Sequence, residues 1–216
     1  MGKEAKDKYA EGSVHHSLAV VERLMGRLDR AIVHGWSAVR IHGTGEFWVA
    51  ALTDLAGVFV EAGELQAAED AYTIVLGASN RYIYRAYALD ALAYIAALRG
   101  DALEFEKRAA RADASGWLEE DTAPAIRAEF SYFRGKSYQA LGDLRAARVW
   151  YERSRSLANR HGLNKFSFDA ETALRGLGDA RATRREPEHS ESVPDVMFDI
   201  REELTAMREA LAGLAG

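Results

Sequence analysis

Histidine has the widest chemical reach of the residues present, and this chain has six: His15, His16, His34, His42, His161 and His189. His15 and His16 are adjacent, so a helix would send them to different faces, a poor geometry for chelation. No His-Glu-x-x-His pair, Gly-Lys-Ser/Thr phosphate loop or Gly-x-Ser-x-Gly elbow occurs. The segment Gly43-Thr44-Gly45 has phosphate-loop composition, but no strand pattern precedes it, and a turn between helices explains it better. The acidic pairs Glu119-Glu120 and Glu202-Glu203 read as solvated faces or as charges at helix N-termini. With no cysteine there is no disulfide framework, thiolate zinc site or sulfur nucleophile. These residues make no positive case for catalysis, so the expectation is a non-enzyme with no cofactor and no metal.

The elements that would position any site come from composition and periodicity. The chain has 216 residues, 48% hydrophobic and 28% charged, which is the balance of a folding sequence. Three prolines leave long stretches free to be helical. A formal net charge of −5 argues against direct, phosphate-driven binding of nucleic acid. The opening residues Met1 to Lys8 are charged and lead into no apolar signal core, and Lys6 stands where a myristoylation signal wants Ser or Thr. The most apolar stretch, from Tyr82 to Leu98, is interrupted by Arg85 and Asp90 and is too short to span a bilayer. A cytoplasmic chain without membrane insertion is the expectation.

One pattern recurs. Gly26, Gly63, Gly100, Gly142 and Gly178 stand 37, 37, 42 and 36 residues apart, most followed by an acidic residue within three positions and an alanine at the fourth or fifth. Self-similarity at such a period marks stacked supersecondary units. Eight residues before each glycine stand Leu18, Leu55, Leu92, Arg134 and Ala170, and seven before stand Ala19, Ala56, Ala93, Gly135 and Glu171. Small residues beside large apolar ones point to two helices crossing closely. Five, nine and twelve residues after the glycine the sequence reads Ala31, Gly35, Ala38; Ala68, Tyr72, Val75; Phe105, Ala109, Ala112; and Ala147, Tyr151, Ser154. Those offsets share one helix face. The spacing predicts helices over about 13–25 and 28–41, 46–62 and 65–78, 82–99 and 102–115, 123–141 and 144–160, then 164–177. Thr122 before Pro124 reads as the start signal of the fourth hairpin.

The small residue, the Gly-Asp/Glu turn and the following alanine resemble the tetratricopeptide repeat, in about five degenerate copies similar to those of bacterial regulatory and sensor proteins. The usual Trp and closing Pro are missing, and the 42-residue step adds material around residues 115–121. The resemblance implies an all-α, right-handed solenoid of antiparallel helix hairpins over residues 13–182, after a polar tail at 1–12. It also implies a concave groove lined 13, 10 and 6 positions before each glycine. Its candidate partner-binding residues are His16, Thr53, Tyr87, Asp90, Tyr94, Glu129, Tyr132, Lys136, Lys165 and Phe168. The carboxylate clamp of some family members would fall on His16, Val20, Thr53 and Asp54, so specificity for an acidic peptide terminus is not carried over. A protein- or peptide-binding adaptor or regulatory sensor is the expected function.

Residues 183–192 have no apolar face and read as a linker. Beyond them Val193, Met197, Ile200, Leu204, Met207, Leu211 and Leu214 form a heptad seam in a helix over 193–214. Such a short amphipathic helix needs a surface to cover its stripe. Three are open: the edge of the last repeat as a cap, a second copy of the chain in a homodimer, or a repeat groove. The second makes self-assembly the alternative function.

Overall fold

The computed structural model describes residues 3–117, 119, 121–177 and 196–214. Among the described residues there are ten helices and no strand: α1 (Lys3–Leu24), α2 (Leu28–His42), α3 (Gly45–Glu61), α4 (Leu65–Ala78), α5 (Tyr82–Leu98), α6 (Ala102–Asp113), α7 (Pro124–Ala140), α8 (Leu144–Arg160), α9 (Asn164–Gly176) and α10 (Met197–Leu214). They fall into two compact units, one of Met1–Ala88 with Pro187–Gly216 and the other of Leu89–Glu186, the division lying within α5.

The turn glycines end helices for a reason visible in the backbone. At Gly26 the amide of Arg27 donates to the Glu22 carbonyl at 2.9 Å and that of Gly26 to Arg23 at 3.0 Å. This is a Schellman closure, which needs a left-handed residue at the turn, and Gly26 has φ of +74°. The same pair of bonds closes the turns at Gly63, Gly100 and Gly142. Asp101 and Asp143 then cap the next helices by accepting from the amides of Glu104 and Ala146 at 2.9 and 3.0 Å. Gly178, the fifth expected turn, lies outside the described residues.

In the first unit α1 packs on α2, α2 on α3 and α3 on α4, and α1 also touches α3. In the second α7 packs on α8 and α8 on α9, with α7 also touching α9. The face predicted after each glycine is the buried one: Ala31, Ala68, Phe105 and Ala147 are each 0% exposed. Small residues mark close crossings. A Cβ on Gly135 of α7 would lie 2.6 Å from the Tyr151 ring of α8.

Three expectations change. The helix over 13–25 begins at Lys3, so the tail expected at 1–12 is helical from there. Tyr9 holds that extension by packing edge-on to Phe47, ring centroids 4.8 Å apart. Pro124 opens α7, but its cap is Ala123, and the Thr122 hydroxyl donates to the Gly116 carbonyl instead. The C-terminal helix packs against α4 of its own chain, a surface outside the three that the heptad seam leaves open. Met197, Ile200 and Leu204 are buried, and Leu211 lies 3.5 Å from where a Cβ on Gly77 would sit. Arg201 donates to Glu64 and Arg208 to Asp70, fixing the register of α10 on α4. Val193, the linker over 183–192 and the start of the expected helix lie outside the described residues.

Candidate binding surfaces

Ten positions before their turn glycines, His16 and Thr53 stand on α1 and α3 of the first unit, and those two helices touch. His16 Nε2 meets Asp54 Oδ2 at 2.6 Å, and this hydrogen bond holds the imidazole pKa above its ordinary value against the opposing effect of burial. The Thr53 hydroxyl donates to the Val49 carbonyl one turn back at 2.7 Å. Ala50, Thr53 and Asp54 of α3 face Ile83, Tyr84 and Tyr87 of α5 across a pocket of about 210 Å³. Of the expected groove residues the structure therefore gathers Thr53 and Tyr87 here, with His16 one hydrogen bond away. Asp54 and Tyr84 also line this pocket, and the period that selects their neighbours does not select them.

The second unit gathers more. Tyr94 of α5 lies 6.1 Å from the Phe133 ring of α7, and Lys136 Nζ sits 5.0 Å from the Tyr94 centroid and 5.4 Å from that of Phe133. Tyr132 packs on Phe133 at 5.8 Å and on Tyr151 at 5.5 Å. Burial raises the Tyr132 pKa, and the charges of Lys136, Asp169 and Lys165 are close enough to act on the same phenol. Lys165 bonds Asp169 at 2.8 Å, and Phe168 is 64% exposed. Residues from α5, α7 and α9 thus meet on one face, aromatic and cationic together. Phe133 was not singled out in the sequence, since the aromatic beside it matched the period and it did not.

Asp90 and Glu129 stand differently. Asp90 is buried, 3.4 Å from Arg134 Nη2, and desolvation pushes its carboxyl pKa up to about 6 although the guanidinium pulls it down. It is a core residue and not a groove contact, which corrects the expectation for it. Glu129 is half-buried and adds to the field that raises Asp90.

Arg134 is the centre of that core. It donates to Asp113 at 2.9 Å and sits 5.5 to 5.9 Å from the rings of Trp150, Trp117 and Phe105. Trp117 is 0% exposed and its indole donates to Asp113 at 3.1 Å. The added residues of the 42-residue step therefore supply an aromatic wall for a buried cation.

Among the described residues no three His, Cys, Asp or Glu side chains are placed to hold a metal, and no helix is long and apolar enough to cross a membrane. No protein-family model, curated protein or solved structure matches this chain.

Proposed function

We propose that this chain is a non-catalytic helical repeat protein, tetratricopeptide-like within each unit, that binds a segment of another protein on the faces of its first helices. It would serve as an adaptor or as the sensing part of a regulator, in a reducing, cytoplasmic setting that suits a chain without cysteine. The observation that carries this reading is the convergence of Tyr94, Tyr132, Lys136 and Lys165 from three helices of the second unit. Side chains picked out by their offset from a turn glycine and by their aromatic or charged chemistry lie close in space, as the residues of a shared recognition face would. Rigid rings give contact area at low entropic cost, and the charges fix the register of what binds.

Self-assembly through the C-terminal helix has less to rest on, because its seam residues Met197, Ile200 and Leu204 are already buried within the chain. The test is substitution of both Tyr94 and Tyr132 by Ala, followed by capture of partners from native extract and circular dichroism. Capture should be lost with helicity unchanged; capture that survives both changes overturns the assignment.

A further inference from the structure

The pocket between α3 and the start of α5 has a polarity that the repeat pattern does not require. At about 210 Å³ it is smaller than the space a drug-sized ligand fills, and it suits a single side chain. Its lining residues are Ala50, Thr53, Asp54, Ile83, Tyr84 and Tyr87, so Asp54 is the one formal charge among them. The Asp54 side chain is 50% exposed and gives one oxygen to His16. A carboxylate has about four lone-pair sites, which leaves acceptor capacity for a ligand. The neighbouring arginines have partners of their own: Arg23 bonds Glu61 at 2.7 Å, and Arg81 pairs with Glu46. The Arg81 guanidinium also lies 5.7 Å from the Tyr84 centroid, so this ring already draws a cation.

Three occupants fit poorly. An apolar group would strip water from Asp54 without replacing its hydrogen bonds. An anion would be repelled. A zinc or calcium ion would find one carboxylate and one imidazole where it takes three or more protein ligands.

We infer that this pocket receives the ammonium or guanidinium end of a basic side chain carried by the bound segment. Asp54 supplies the counter-charge and Tyr84 and Tyr87 flank the cation and its methylenes. The inference rests on the reading of the chain as a segment-binding protein and makes that reading specific, because it gives the segment a Lys or Arg at one place.

The probe is the blocked tripeptide Ac-Gly-Lys-Gly-NH2, titrated into the full ¹⁵N-labelled chain while the amides of Thr53, Tyr84 and Tyr87 are followed. Saturable shifts at these amides are expected, with the arginine analogue behaving alike. The norleucine peptide, which keeps the four side-chain carbons and drops the ammonium, and the Asp54→Asn chain should each bind about tenfold more weakly, the loss of one charge pair at a half-exposed site. Tyr87→Leu, which keeps the charge and removes a ring, should weaken binding by a smaller factor. Equal binding of norleucine, or amides that stay still, overturns the inference. If butylammonium alone binds as tightly as the peptide, the site serves free amines, and the segment-borne cation is wrong. A flat titration alongside capture that still depends on Tyr94 and Tyr132 would remove the pocket and leave the proposed function standing.

Discussion

Each unit buries one aspartate against an arginine, and the two do it in opposite ways. In the first, Asp70 of α4 accepts from Gln66 in its own helix at 3.1 Å and from Arg208 of α10 at 2.5 Å. That arginine side chain remains 38% exposed, so the pair sits at a seam that water still reaches. In the second, Asp90 and Asp113 flank an Arg134 whose side chain is 3% exposed, walled by Phe105, Trp117 and Trp150. The position eight before the turn glycine explains the difference. It holds Leu55 before Gly63 in the first unit and Arg134 before Gly142 in the second. The same glycine closure occurs in both units, yet one places hydrocarbon at this position and adds a charged pair beside the buried Met197, Ile200 and Leu204 of α10, while the other puts charge at the centre. A buried cation tolerates no loss of its partners, whereas a seam pair can fall back on water.

The sharpest way to break that contrast is Arg134→Met, which leaves the buried Asp90 carboxyl without its cation in an aromatic interior while Asp113 keeps water and the Trp117 indole. It should cost about 3–5 kcal/mol in urea unfolding, and adding Asp90→Leu should recover a large part of it. A loss below about 1 kcal/mol would mean the second unit does not depend on its buried charge.

Next in size is the dependence on pH. The folded Asp90 carboxyl has its pKa raised from 3.8 to about 6, so between those values the native state binds more proton than the unfolded one. Stability should therefore fall as pH rises from about 4 to about 6, by up to about 3 kcal/mol, and Asp90→Asn should flatten that window. His16 in the first unit is also raised, so its contribution is complete below the unfolded value of 6.5 and is lost as pH rises through the folded pKa. His16→Gln should remove only this upper slope. Titrating thermal stability in the three proteins tests both windows, and a single shared slope would erase the distinction between the units.

The smallest effect belongs to the seam. Arg208→Gln should cost about 1 kcal/mol, low for a charged hydrogen bond because the guanidinium is more than a third exposed. Hydrogen exchange should rise in α10 and along α4 while α7 and α8 keep their protection. A global loss of protection would show that α10 is integral to both units and is no appended helix.

Much of the helical framework was legible because it rests on local physics. A glycine able to take φ near +75° and an apolar offset of 5, 9 and 12 residues dictate a turn and a buried face wherever they occur. The surface in the second unit was legible in part for the same reason: Tyr94, Tyr132 and Lys136 sit at fixed offsets and do meet. Asp90 shared that offset and was misread, since periodicity assigns a face but does not say whether an arginine 44 residues later will reach across to it. Leu18 shows the converse. It stands eight residues before its turn glycine, as the buried Leu55 does, but is 38% exposed, alongside Val14 and Val21 on the same helix.

The sequence alone determined where helices stop, which stripe of each is apolar, and that no familiar catalytic motif is spelled out. These follow from dihedral preference and from hydrophobic spacing over a few turns. Only the tertiary structure decided that α10 lies on α4, that Trp117 walls in Arg134, and that Asp54 and Tyr84 share a pocket. Those pairings join residues far apart in the chain, and what selects them is the summed desolvation and charge balance of the folded state, which no local window of sequence contains.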